Sequence, residues 1–363
     1  VWLLLVATGP VARADGDGAE PFTALMGLVD DLGRTGYSGV IAARDGEGQM
    51  RARALGFAVR EQGITHHVNE RWPWASVTKQ VTAALVMAEV DAGRLALDAR
   101  LSAVLPAFTG PTADRITVRD LLRHTSGLPN PDEGASDADG VPGFYRERGP
   151  GIGDRARALG FCAGPPRSAP GAPFAYNNCD YLVLAALLER TTGRPFAALV
   201  NERIARPHGL RTLRAADDGA KWSSGVVGYD GPARAPAVNL ATYGAAGALV
   251  GSATDLLAFD ALLLDRRLVS DASTREMWRG DPSLGYVALG AWSFTAPLRG
   301  CADPVELIER RGEIAGVVVR NLLAPARARA LVAFSNDASQ EFGEIWQGKG
   351  LAFDLASAAF CAP

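Results

Sequence analysis

Strand-like segments stand at both ends of this chain, with helical periodicity between them. Residues 38–45 (SGVIAARD) and 49–59 (QMRARALGFAV) read as two strands joined by the turn Asp45-Gly46-Glu47-Gly48. Four further strands are predicted at 284–295, 304–310, 315–323 and 328–335, the last two turning at 324–327, with a helix at 340–359. Two strand groups around a helical middle predict one antiparallel sheet built from both chain ends, an α/β (α+β) fold with flanking helices. The middle then forms an inserted, mostly helical lobe, with a cleft between lobe and sheet. The expected unit is a single domain over 21–363, its α/β lobe at 21–110 and 280–363 and its helical lobe at 111–279.

Within the middle, apolar spacing from Ser76 to Val90 predicts a helix closed by Asp91-Ala92-Gly93. A short helix is expected at 117–124 with Thr117 as its N-cap, and others at 180–192, 195–206 and 253–265. The stretch 130–173 is rich in Gly, Pro and Asp and reads as long loops.

Only three of the 37 basic residues are lysine, at 79, 221 and 349. One of them lies in Ser76-Val77-Thr78-Lys79, which sets a hydroxyl at a helix start and an amine one turn later on the same face. A serine nucleophile needs a base, and a lysine serves only if burial or nearby cations pull its pKa down. The helix N-terminus adds a free N–H for a developing oxyanion. A capping serine followed by a surface lysine is the plain alternative. About a hundred residues later comes Tyr176-Asn177-Asn178, just before a helix. A buried phenol between two cations can lose its proton and act as general base or acid. Asn178 can hydrogen-bond both the lysine and a substrate amide carbonyl.

These two motifs, in this order, resemble the serine hydrolases of the class C β-lactamase and penicillin-binding-protein superfamily. Ile116-Thr-Val-Arg-Asp-Leu-Leu-Arg-His-Thr-Ser-Gly-Leu128 is similar to a characteristic segment of that family, as are Tyr37-Ser-Gly-Val, Gly93-Arg-Leu-Ala-Leu-Asp98, Tyr243-Gly-Ala-Ala-Gly247 and Ser252-Ala-Thr-Asp255. The likeness runs over residues 36–335, and the lack of Ser-Asp-Asn and Lys-Thr-Gly separates the chain from class A. It implies a β-lactamase/transpeptidase-like fold with Ser76 as nucleophile and Lys79 and Tyr176 sharing the proton traffic. The family's third motif, Lys/His-x-Gly, falls on Arg310-Arg311-Gly312, with Arg311 the relevant residue if the register slips by one. By the same resemblance Glu313 supplies a second oxyanion N–H, and Arg310, a cation that cannot deprotonate, steers an anionic substrate group. His124 is expected to hold a loop. Trp72 and Trp74 either line the cleft or pack in the core.

The resemblance implies no metal or organic cofactor, and no CxxC or HExxH spacing suggests zinc. A net charge of −3 gives no footprint for nucleic acid, and no stretch is long and apolar enough for a membrane span. Residues 1–14, an apolar run ending Ala12-Arg13-Ala14, resemble the end of a signal peptide, so a periplasmic or secreted protein is expected. Of the three pairings open to four cysteines, Cys162–Cys179 with Cys301–Cys361 ties segments of the same lobe; free thiols are the alternative. The expected function is an acyl-enzyme hydrolase of an ester, D-amino-acid peptide or β-lactam carbonyl, with a small-molecule or peptidoglycan-derived substrate. The competing reading is a non-hydrolytic binder of peptidoglycan-like ligands that retains the fold.

Overall fold

A computed structural model describes residues 22–219 and 225–361. The signal-peptide-like residues 1–14 lie outside the described residues. The central element is a six-stranded antiparallel sheet: β1 (Gly39–Arg44), β2 (Met50–Leu55), β3 (Trp292–Ala296), β4 (Val305–Ile314), β5 (Val317–Ala324) and β6 (Arg329–Ser335). Their spatial order is β3-β4-β5-β6-β1-β2, so β1 pairs with β6 across the two ends of the sequence, Gly39 opposite Ser335.

Period-two alternation divides the sheet's side chains between two layers. Ile41, Ala43, Leu307, Leu322 and Leu331 pack on one face against α1 (Thr23–Arg34) and the last helix, Leu351–Phe360. Val40, Ala42, Ile308, Val319 and Phe334 face the opposite layer. That layer holds α2 (Thr78–Asp91), α3 (Val118–Arg123), α4 (Asn178–Thr192) and α5 (Ala253–Leu264). Helix α2 is buried on nearly every side, as its apolar composition all round requires. Thr117 caps α3 in a reciprocal capping box with Asp120. The cysteines pair Cys162–Cys179 and Cys301–Cys361.

The structure corrects four expectations. Helix α5 belongs to the 111–279 stretch yet packs on β6 and β1, because its buried Leu256, Leu257, Phe259 and Leu263 cover the sheet. The stretch is therefore not a separate lobe throughout. The strand expected over 284–295 forms only from Trp292, since Gly285, Tyr286 and Gly290 take positive φ and break the extension. The helix expected over 340–359 starts at Leu351, because Gly343, Gly348 and Gly350 hold φ values of 71°, 68° and 95°. The 195–206 helix runs on to His208 through a π-type turn at Asn201–Ala205. Helix α1 had no forecast from the sequence. Trp72 and Trp74 are core residues with no exposure, Trp72 stacked on Phe334.

Candidate active site

Ser76 sits in the single turn Ala75–Val77 that leads into α2. The residue before it is bent: Ala75 has φ 47° in a fully buried position, a conformation an alanine adopts only when its surroundings impose it. The surroundings include Gly312 on β4. A Cβ added there would lie 2.8 Å from Ala75 Cβ and 2.9 Å from Ser76 N, so only glycine lets the strand pass this close to the nucleophile.

The register of β4 fixes which groups it presents. Ala315 and Gly316, with φ 52° and 77°, form a two-residue turn that makes Ile314 and Val317 a hydrogen-bonded pair. Counting back in alternation, Gly312 and Arg310 bond to β5, while the N–H groups of Glu313 and Arg311 point away from it. Pairing with β3 ends at Glu309, so the N–H of Glu313 projects from an open edge beside Ser76. Side chains alternate in the other sense. Arg310 turns toward Ser76, whereas Arg311 lies on the far face between Glu309 and Glu344. Of the two arginines, Arg310 occupies the cleft position.

Lys79 is fully buried, one turn after Ser76. Its Nζ lies 2.7 Å from the carbonyl of Ala246, 2.8 Å from Asn178 Oδ1, 2.6 Å from the Tyr176 hydroxyl and 3.1 Å from Ser76 Oγ. Burial, and then the charge of Arg310, hold this amine well below the lysine range. A neutral amine has two hydrogens and one lone pair. The Ala246 carbonyl can only accept, so it takes one N–H. Asn178 must turn Nδ2 toward the Asp132 carboxylate, at 3.2 and 3.3 Å, which leaves Oδ1 to take the second. The lone pair of Lys79 is left facing Tyr176 and Ser76.

Tyr176 completes the path. Ser76 Oγ and the Tyr176 hydroxyl are hydrogen-bonded directly, and Arg310 donates to the same hydroxyl at 3.2 Å. Arg310 also donates from Nε to the backbone carbonyl of Ser76 at 2.9 Å. With Lys79 neutral, Arg310 alone acts as a cation on the phenol. Burial outweighs it and pushes Tyr176 up, so the phenol keeps its proton at rest. The hydroxyls therefore line up Ser76 to Tyr176 to Lys79, each able to donate to the next.

Beneath Tyr176, His124 is buried with its ring 4.7 Å away. Its Nδ1 meets Asp180 Oδ2 at 2.9 Å, and Ser126 donates to the other carboxylate oxygen. Burial pushes the imidazole well down and the Asp180 carboxyl well up, so the hydrogen bond between Nδ1 and Oδ2 carries one shared proton. The His124 carbonyl accepts from Ala175 N–H at 2.9 Å, tying down the segment that delivers Tyr176. The disulfide from Cys162 to Cys179 holds the start of α4 from the other side.

Two cavities of about 500 Å³ flank Ser76. One opens toward Trp292 and Arg310, the other toward Asp132, Tyr145 and Asn178. Ser76, Lys79, Tyr176, Asn178, Arg310, Gly312 and the backbone of Glu313 are thus brought together around them. Asp132, Trp292 and the Ala246 carbonyl join them without any signal of their own in the sequence. Asp132 sits in the Gly/Pro/Asp-rich loop stretch, where a carboxylate is ordinarily solvated. Ala246 contributes only backbone, though it lies in the 243–247 segment noted above.

Comparison with known proteins follows the same lines. A family model described as Beta-lactamase matches residues 24–298. Esterase EstB of Burkholderia gladioli is 38% identical over 182 residues, covering 47% of this chain and 45% of that protein. A D-aminopeptidase of Cereibacter sphaeroides is 31% identical over 203 residues, covering 55% of this chain and 36% of that protein. The chain thus spans less than half the length of these two relatives. The solved D-amino acid amidase of Ochrobactrum anthropi SV3 superimposes with a TM-score of 0.75 at 20% identity, over 93% of this chain and 96% of that one. At that identity the likeness speaks for the fold.

Proposed function

The chain belongs to the beta-lactamase family, and on that premise we propose that it is a serine hydrolase working through an acyl-enzyme. The observation that carries this reading is Lys79, a buried amine whose two hydrogens are taken by Ala246 and Asn178 and whose lone pair is aimed at the nucleophile. A binding protein has no use for a desolvated lysine held neutral at such cost. Ser76 Oγ attacks the substrate carbonyl carbon as its proton passes to Tyr176, whose own proton passes to Lys79. The N–H groups of Ser76 and Glu313 receive the oxyanion. As the carbon–leaving-group bond breaks, the proton returns through Tyr176 to the leaving group. Water then repeats the sequence on the Ser76 ester and frees the acid.

The substrate carbonyl is an ester, a D-amino-acid amide or peptide, or a β-lactam. EstB and the D-aminopeptidases support the first two by the names of those proteins. Arg310 disfavours efficient β-lactam turnover, since a fork-shaped guanidinium replaces the compact cation of the family motif. We place the protein in a periplasmic or secreted setting, which the two disulfides support.

A fluorophosphonate probe and a fluorescent penicillin, each followed by intact-mass analysis, test the reading. Labelling of wild type and not of Ser76→Ala is the expected result. Failure of both probes and of p-nitrophenyl butyrate to acylate the protein would leave the non-hydrolytic binder as the better account.

A further inference from the structure

The two cavities beside Ser76 differ in charge. The one toward Trp292 has Arg310, Arg311 and Arg320 in its wall, alongside Glu313 and Glu341; Arg311 is paired with Glu309 and Glu344, which leaves Arg310 as the cation beside Ser76. The other has no lysine or arginine in its wall, and Asp132 stands in it next to Asn178. This carboxylate is held in place. Tyr145, buried and stacked on Tyr243 with ring centroids 4.0 Å apart, donates its hydroxyl to one oxygen, and Asn178 Nδ2 donates to both. Its neighbours Glu133 and Asp139 are taken up by Arg167 and Arg146, whereas no ion pair among the described residues involves Asp132. Asn130 Nδ2 adds a weaker contact at 3.5 Å; all three groups that fix it are neutral, so no cation among the described residues pairs with it at a point one amide group beyond Lys79.

That position has a chemical meaning for the substrate. When Ser76 attacks a carbonyl carbon, an amine on the adjacent α-carbon lies two bonds from the reacting centre. Toward Arg310 such an ammonium is repelled; toward Asp132 it meets a fixed carboxylate with no ion-pair partner among the described residues. We propose that Asp132 is a specificity-determining residue that binds a primary ammonium on the acyl portion of the substrate. The preferred substrates are then amides or esters of amino acids with a free amino group, and N-acylated counterparts are disfavoured. This inference rests on the hydrolase reading above.

The test uses alanine p-nitroanilide of both hands, its N-acetyl counterparts and p-nitrophenyl butyrate, with kcat/KM measured from pH 6 to 10. In the wild type the free amine is expected to outperform the N-acetyl compound about 10- to 100-fold, the size of one charge-assisted contact. The advantage shrinks as pH rises past the amine's own pKa, near 8 for an α-amino group. In Asp132→Asn the ratio between the two substrates collapses toward one. A ratio taken within one protein is insensitive to partial loss of active material, and the wild-type pH series needs no variant. Turnover of the butyrate ester with no preference for the free amine, or an equal ratio in Asp132→Asn, overturns the inference and leaves the hydrolase reading standing. Absence of Ser76-dependent turnover on every substrate overturns both.

Discussion

Lys79 reaches the Tyr176 hydroxyl at 2.6 Å, closer than its 3.1 Å to the Oγ of Ser76. The base thus communicates with the nucleophile mainly through the phenol, and replacing the phenol by a ring without oxygen should break the path while leaving the packing. Tyr176→Phe is expected to lower kcat on a neutral ester about 10²–10⁴-fold, the usual worth of a positioned proton-transfer group. Circular dichroism and thermal melting should show a fold close to wild type. A loss under threefold would mean that Lys79 takes the serine proton directly.

The depressed Lys79 fixes the sign of the pH profile. Activity requires the neutral amine, so kcat/KM on p-nitrophenyl butyrate should climb with pH and level off well below lysine's ordinary 10.5. Tyr176 is pushed upward from 10.0, so no falling limb from the phenol is expected below about pH 10. Lys79→Arg, which puts a permanent cation where the neutral amine stands, should be inactive at every pH tested. A profile that falls on the alkaline side of neutrality would contradict this assignment.

The elements that could be read from the sequence are those whose signal is local. The strand after Arg310 is buried on both faces and so reads as a near-continuous apolar run, and Thr117 with Asp120 form a cap that needs no tertiary partner. Ser76 and Lys79 share a helix face, which spacing alone reveals. What escaped depends on distant contacts. Within 284–295, Gly285 and Gly290 pass for ordinary strand residues, whereas an added Cβ at Gly290 would lie 2.9 Å from the Lys79 carbonyl. Asp132 is one acidic residue among several in a loop; its role depends on Tyr145 and on Asn178, 46 residues away. The protonated state of Tyr176 follows from burial, which no motif encodes.

Removal of the Arg310 charge should be visible twice. Arg310→Ala should raise KM for anionic substrates more than for neutral esters, and equal effects would count against a carboxylate-binding role. Because Arg310 helps to depress Lys79, the acidic limb of the profile should also move to higher pH in this variant. A limb that stays in place would show that burial alone sets the amine.

Gly312→Ala introduces a methyl group where Ala75 Cβ, Val319 Cγ1 and Ser76 N stand within 2.8–2.9 Å. The backbone nitrogen cannot yield without moving the nucleophile. Activity should drop at least about 100-fold, comparable to loss of an oxyanion donor, with destabilisation of about 1–3 kcal/mol. Wild-type turnover in this variant would remove β4 from the oxyanion site.

Asp260, on α5, offers a stability test away from the chemistry. It is buried, bonded by Asn321 Nδ2 at 2.9 Å through one oxygen, and burial pushes its pKa up to about 8. A folded pKa above the unfolded 3.8 means that the folded state binds the extra proton, so the contribution to stability is lost as pH rises from about 4 through 8. Asp260→Asn stays neutral throughout. Its melting temperature relative to wild type should therefore rise between pH 5 and pH 9, by about 2 °C or more. A difference independent of pH would show that Asp260 does not titrate as a buried acid.

Because β1 pairs with β6, and Gly312 of β4 lies against the turn that carries Ser76, segments made early in synthesis must wait for partners made more than 200 residues later. A ribosome that has released α2 has made the nucleophile and its lysine but not the strand that supplies the arginine and the second oxyanion N–H. Long-range closures of this kind slow folding and leave partly paired strands exposed in the interval. The same delay keeps the unfinished polypeptide chemically inert, since no hydrolytic centre is assembled until β4 has emerged.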